Sequence, residues 1–568
     1  MGRGFAEILS GELQGSPQRY TIQRPALHAF DASLGRRPNA PGISAERTSA
    51  LVAGANQIVY GDFSVVNGVL YATATEEDEI TREMARVVEA SGPASGGIFP
   101  VAEALARQLG DTQPFGTRNP QALRDYDAGL ESPDRMEAFQ DFAKATTADP
   151  DFGRAYVFGL DIAISQRNRA EADVVVEQAH AHQDRFSKID RAALELDAAA
   201  LRSDFNAQLV ARRELARLDP ADPNRHRELA EALLSARDYD NAIVEFRRAL
   251  SIRMDDIAAL NAMGYAAAYS GDLPTAIRVL RGYEQMRPSE PNPLDSLGDV
   301  HYALGHFSEA EQFYLAANAK APGFLNGGEV MKAAQARLMT GDVAGSTALF
   351  NRYLAGREAM HDPSALYEAA AWSWQTGARQ EGIAAMDRLA GAPGTSREIA
   401  CRADAQVSIW LLNLGDRSGA AEHARKAVAE NGPVTTPLVA LVAFLAVPEA
   451  FPAPAPSPLR DYARAYSLLF GKQFQPAAQA LEEIYRRPTN NLDDGLAVLL
   501  AWAYEESGDW QRAGPLLRLT PLPEAAGLPV FSSLYFPRLF LLRGALLDHQ
   551  GNHTEAARYF RMFAAPRS

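Results

Sequence analysis

One cysteine in 568 residues, Cys401, leaves this chain without any internal disulfide framework and without a thiolate metal cluster. Long apolar runs are also missing. The most apolar stretch, Pro437 to Val447, is far short of the ~20 residues that cross a bilayer, and it falls where a helix of the array described below is due. The opening MGRGFAEILSGELQG has no apolar core of the kind an export signal needs. As written, the chain therefore reads as cytoplasmic and without a direct membrane span; a true start further upstream would make a periplasmic or membrane-associated location the alternative. Positive charge is scarce as well. Lys and Arg number 56 against 71 Asp and Glu, a net charge of −15, and an acidic surface repels phosphate backbones, so no nucleic acid is expected as a partner. There is no GxxxxGKS/T loop, no GxGxxG after a strand, no HExxH and no GxSxG, so neither an enzyme nor a cofactor is expected. His549 and His553 have metal-like spacing, but Gly551-Asn552 sets a turn between them, and no metal is expected there.

What the chain has instead is a pattern that recurs every 34 residues. Ala242, Phe246 and Ala249 are followed by Ala276, Leu280 and Tyr283, then by Ala310, Tyr314 and Ala317. A second landmark travels with it, in Leu229-Ala230, Met263-Gly264 and Leu297-Gly298. Offsets of four and seven lie on one helical face, and a 34-residue unit holds two helices and two turns. The pattern resembles the tetratricopeptide repeat, or TPR. The fold class it implies is mainly α, a TPR α-solenoid of about a dozen helix pairs, with small residues where helices approach and larger ones beside the next unit. Ala172, Val176, Ala179 and Ala138, Phe142, Ala145 extend it toward the N-terminus, and Ala207 to Pro220 reads as a degenerate unit. Toward the C-terminus, Gly341-Asp342, Gly377-Ala378, Gly415-Asp416, Gly508-Asp509 and Gly551-Asn552 announce second helices. Small residues follow five places on, at Ser346, Gly382, Ala420, Ala513 and Ala556.

Domain boundaries are expected at 1–115 for a small α/β domain and 119–446 for the main array. A Pro/Ala-rich extended connector at 447–458 and further helical repeats at 459–568 complete the chain. Leu519 to Pro537 is a second irregular stretch. Within the α/β domain, helices are expected at Gly4–Leu13, Ser44–Ala55 and Ile98–Leu109, and strands at Tyr20–Gln23, Gln57–Val65, Val69–Thr75 and Arg86–Ala90. Asn67-Gly68 between apolar runs is a hairpin signal, because both residues tolerate positive φ. The acidic run Glu76-Glu77-Asp78-Glu79 reads as a solvated loop between strands, and Asp219 and Asp222 as a helix stop and cap.

Gly54-Ala55, Ile58 to Gly61, Asn67 to Leu70 and Ile98 to Leu109 resemble the α/β domain that precedes TPR arrays in bacterial serine/threonine kinases and adenylate cyclases, a domain similar to FlgO and to the amino-terminal domain of TolB. The likeness extends through Asp149-Pro150-Asp151-Phe152 at the junction with the first repeat. Family members begin with an apolar strand that this chain lacks, so the resemblance implies either an upstream start or an unpaired sheet position. Kinase and cyclase domains are not in the sequence.

In TPR arrays the first helix of each pair lines the concave face. Phased on the clear repeats, the partner-binding groove comprises Arg227, Glu231, Asn261, Tyr265, Asp295, Asp299, Tyr302 and Gln335. Chaperone-binding TPRs clamp a terminal carboxylate with Lys, Asn and Arg, whereas this groove offers two aspartates. The expected partner is thus a protein or peptide segment with basic and aromatic residues. The function read from sequence is a non-enzymatic interaction scaffold in bacterial signalling or an envelope-associated assembly. The alternative is the regulatory or sensor region of a larger kinase- or cyclase-type protein.

Overall fold

The computed structural model describes residues 2–24, 27, 43–79, 81, 83–431, 436–452, 458–488, 495–522 and 538–564. They form two compact units, 1–233 with 244–254, and 234–243 with 255–568. The boundary expected at 115 falls inside the first unit.

That unit opens with the helix Gly2–Leu13 and, after Ile43–Val52, an antiparallel sheet of order β1 (Gln57–Val66), β2 (Val69–Asp78) and β3 (Met84–Pro93). The β1–β2 turn is Asn67-Gly68 with φ of 49° and 76°, the left-handed pair that suits a two-residue hairpin. Alternation along β2 buries Leu70, Ala72 and Ala74 beneath the helices Phe99–Leu109 and Gly2–Leu13. The same core runs on through Phe115, Tyr126, Phe142 and Phe152 into the first helix pairs, which is why sheet and repeats form one body.

Two local expectations are corrected. Tyr20 to Gln23 is not a strand. Tyr20 accepts a hydrogen bond from the Asn224 amide at 3.0 Å and Thr21 Oγ1 donates to the Leu13 carbonyl at 3.4 Å, so this segment lies along the helices and adds nothing to the sheet. The run Glu76 to Asp78 belongs to β2, and Glu76 and Glu79 are buried. Arg19 meets Glu76 at 3.0 Å, and Arg47 takes Glu77 and Glu79, so the acids are paired with arginines where a solvated loop was expected. Asp219 also does more than stop a helix: it accepts from the Gly15 amide at 3.2 Å.

Helix pairs make up the rest of both units. Among them are Pro120–Glu131 with Arg135–Ala148 in the first, and Ile257–Ser270 with Leu273–Met286, then Asn292–Ala303 with Phe307–Lys320, in the second. The 34-residue pattern is packing. Ala276, Leu280, Ala310, Tyr314 and Ala317 are fully buried, and a Cβ on Gly264 or Gly298 would come within 2.6 Å of Leu280 or 2.5 Å of Tyr314. Only hydrogen at these two positions lets the helices of a pair approach so closely.

The Gly-Asp turns resolve into two caps in succession. Gly415 takes the left-handed conformation that ends Arg397–Leu414, and the Asp416 carboxylate then accepts from the Gly419 amide at 3.0 Å to start Arg417–Glu430. Asp342, Asp509 and Asn552 cap the same way, whereas Ala378 makes no side-chain cap. Gly341, Gly377 and Gly415 stand 36 and 38 residues apart, wider than the 34 of the clear repeats, and helices of 17 residues in Val343–Ala359 and 18 in Arg397–Leu414 account for the extra length. Of the connector at 447–458, the described part begins as a turn closed by Ala450 and Phe451 amides on the Val447 carbonyl; 453–457 lie outside the described residues, as do 523–537 of the second irregular stretch.

Candidate partner-binding faces

In the first unit solvent reaches part of the first-helix face. Arg227 and Glu231, one turn apart on Pro223–Ser235, pair with each other at 2.8 Å and are partly solvated. Asp161 on Gly153–Ser165 is exposed, and Asp197 on Lys188–Leu201 is half-buried. Among the described residues neither carboxylate has a hydrogen bond or ion pair. Burial and the nearby Asp161 charge push Asp197 up to about 8, against the pull of Arg225 and Arg212. Sequence reasoning missed both, although a signal existed. Asp161, Asp197, Glu231, Tyr265 and Asp299 recur at intervals of 36, 34, 34 and 34, one register position on successive first helices.

The second unit is built differently. Asp295 and Asp299 are buried, and neither offers a bare carboxylate. Lys332 Nζ lies 2.9 Å from Asp295 and 3.0 Å from Asp299, while the hydroxyls of Tyr265 and Tyr314 donate to Asp299 at 2.7 and 2.8 Å. Burial and the neighbouring Asp299 charge raise Asp295 to about 7 despite Lys332. Burial works to lower Lys332, but Asp299 and Asp295 outweigh it and hold it above the usual range for lysine. Lys332 stands 34 residues after Gly298, in the place of the landmark glycine, and its ammonium lies 5.3 Å from the Tyr314 ring centroid. It escaped the sequence reading because it breaks the pattern that was being followed.

Around this network are buried polar atoms that lack a side-chain partner among the described residues. Glu329 is fully buried, its carboxylate meeting no hydrogen-bond partner among the described residues beyond its own backbone, and burial raises it. Asn261 Oδ1 and Gln335 Nε2 are likewise buried and unmatched. Asn261, Asp295 and Glu329 share one register at intervals of 34. Tyr302 is 1% exposed and packs beside Phe540, so it lines no open surface. In place of a solvent-facing groove, Asn292–Ala303 and Gly328–Met339 are buried on nearly every side. The structure thus separates the predicted set: Arg227 and Glu231 lie in the first unit, Asn261, Tyr265, Asp295, Asp299, Tyr302 and Gln335 in the second.

His549 stacks on Trp510 with centroids 4.9 Å apart and His553 bonds Asp548 at 2.7 Å, two separate environments. Cys401 is buried, its thiol 3.2 Å from the Ala427 carbonyl. No helix among the described residues is long and apolar enough to cross a membrane.

Helix pairs closed by a small residue against a ring or leucine, with glycine at the turn, define the class: a tetratricopeptide-type repeat array behind a small sheet domain. No family model and no curated protein matches the sequence. Among solved structures the chain is similar to a MamA protein, at 18% identity over 32% of this chain and 96% of that one, with a TM-score of 0.27. It is also similar to MamA 41-end from Desulfovibrio magneticus RS-1, at 16% over 30% and 97%, TM-score 0.27. A third is YrrB, described as a TPR protein with an unusual peptide-binding site, at 16% over 31% and 92%, TM-score 0.27.

Proposed function

We propose that this chain is a non-enzymatic protein-interaction scaffold, working in a bacterial signalling or envelope-associated assembly, and that it holds a partner segment carrying basic side chains. The observation that carries this reading is the Asp161 and Asp197 pair. Two carboxylates close enough to repel one another stand without hydrogen bonds among the described residues, on a face reached by solvent. A lysine or arginine of a partner laid across that face relieves the repulsion and forms charge-assisted hydrogen bonds. Arg227 and Glu231, already paired, supply a hydrogen-bonding rim on the same unit.

The test uses a labelled Lys/Arg-containing peptide and the full chain, with affinity followed by fluorescence anisotropy. Because a cation favours ionised Asp197, affinity rises from pH 6.5 to 9 and falls with salt. Asp161→Asn with Asp197→Asn weakens binding by about ten-fold and flattens the pH profile. Glu422→Gln, an exposed acid paired only with Lys426 among its described neighbours, serves as control. Equal losses in the pair variant and the control would show generic attraction to a chain of net charge −15 and sink the proposal.

A further inference from the structure

The sheet of the first unit is covered unevenly. Register pairs Val65 with Leu70, Phe63 with Ala72 and Val59 with Glu76, so this β1 row shares the face of β2 that lies buried. Leu70, Ala72 and Ala74 are at most 5% exposed, whereas Val59, Phe63 and Val65 are 38%, 41% and 54% exposed. Burial stops at β2, and β1 carries the apolar face beyond it. β1 is also an edge, pairing with β2 alone among the described residues. A two-residue hairpin closes on a hydrogen-bonded pair, here Val66 and Val69, and bonded and non-bonded pairs alternate from there. The Ala94 amide donates to the Gly68 carbonyl at 2.8 Å, which gives β2 the same phase. The amides and carbonyls of Val59, Gly61, Phe63 and Val65 therefore point to the free edge. Devices that guard an edge are missing. β1 is ten residues long without Pro, Lys or Arg, and the sheet's register shift falls between β2 and β3.

We infer that β1 is a self-association edge: the β1 strands of two copies of this chain pair antiparallel about Gly61, joining two three-stranded sheets into one. Self-complementarity selects a second copy over a foreign strand. About Gly61 the row reads alike in both directions, so Val59 of each copy meets Phe63 of the other, and Gln57 meets Val65. That is what a twofold contact between identical surfaces requires. Gly61 bears no side chain, and a Cβ there would fall 2.1 Å from the Thr73 carbonyl oxygen. The centre is thereby kept open, and the two Phe63 rings lean into it diagonally. Charge agrees with the pairing. The chain carries −15, yet β1 holds a single charged side chain, Asp62, on the opposite face, where the pairing sets it against Tyr60. Two acidic chains thus meet here without placing carboxylate directly against carboxylate. Because the twofold uses the free edge of both copies, association closes at the dimer.

The experiment uses the full chain alone. Sedimentation equilibrium is expected to show monomer and dimer exchanging with a Kd on the order of micromolar, since one strand edge with its flanking row is a small interface. Val59→Glu with Val65→Glu, both at exposed positions, weakens the dimer by at least about thirty-fold, because each copy then brings like charges to the shared edge. Val174→Glu with Val210→Glu, at exposed positions on helices of the same unit, adds the same charge elsewhere and leaves the dimer intact. Asp161→Asn with Asp197→Asn also leaves it intact, which separates this inference from the acidic-face reading. Hydrogen exchange in the unaltered chain locates the contact without any substitution. Raising the concentration slows the amides of Val59, Gly61, Phe63 and Val65, while those of Ile58, Tyr60, Asp62 and Ser64, already bonded to β2, keep their rates. A chain that stays monomeric up to ~100 µM overturns the inference. So does a dimer in which the four edge amides exchange at unchanged rates, or an equal loss in the Val174 and Val210 control.

Discussion

A methyl group at Gly298 has nowhere to go. Its nearest atom would be Cδ1 of Tyr314, a fully buried ring whose hydroxyl is held by Asp299. Gly298→Ala is therefore expected to cost about 1–3 kcal/mol in urea unfolding. Gly282, with nothing within 4 Å of a built Cβ, gains up to about 1 kcal/mol on the same change from helix propensity. Equal effects at both positions would refute the close-approach account. Lys332→Met removes the cation between Asp295 and Asp299, and about 3–5 kcal/mol is expected to be lost at pH 8.5. The loss shrinks at pH 5.5, because Asp295 then carries a proton and needs the ammonium less. At this scale the sequence was half legible. Gly298 announced itself by repetition, and Asp295 and Asp299 by register, but their neutralisation by a lysine 33 residues or more away depended on a residue that interrupts the repeat.

Caps explain why the helix boundaries could be read so well. A glycine that ends one helix and an aspartate that begins the next are chemically local, and local chemistry survives in sequence. Asp416→Ala should cost about 1 kcal/mol, and Ala378→Asp should stabilise by a similar amount by supplying the missing cap. Thermal unfolding of the two variants checks both, and a stabilising Asp416→Ala would contradict the capping geometry. The hairpin at Asn67-Gly68 was legible for the same reason. Tyr20 to Gln23 was not: its residues suit a strand, but Asn224, 204 residues away, decides where Tyr20 lies. The acidic run likewise depended on Arg19 and Arg47, whose approach no local pattern encodes.

For the whole molecule, pH is the simplest lever. Burial and neighbouring like charges raise Asp295 and Glu12 to about 7 and Asp197 to about 8, above the ~4 of carboxylates in an unfolded chain. The folded state then binds more protons than the unfolded state between these limits, so stability is present at low pH and declines as pH rises through 7 to 8. His226, raised by its hydrogen bond to Glu245, contributes with the same sign, and His301, lowered by burial, opposes it. A melting temperature higher at pH 5.5 than at 8.5 is expected, and the reverse order would contradict these environments. Periodicity made the array legible because each helix pair reports on its neighbour. It was silent about the second unit's contact between distant parts, since a repeat carries no record of what it meets a full course later. One such contact has a consequence in time. Arg237 donates to the Tyr485 carbonyl at 2.7 Å across 248 residues of chain, with its guanidinium 4.2 Å from the Tyr485 ring centroid. At ribosomal speeds of ~5–20 residues per second, the arginine emerges roughly 10–50 s before its partner exists. For that interval the Arg237 guanidinium stands without the ring and carbonyl that later hold it, and whatever escorts the growing chain through synthesis meets a cation not yet engaged.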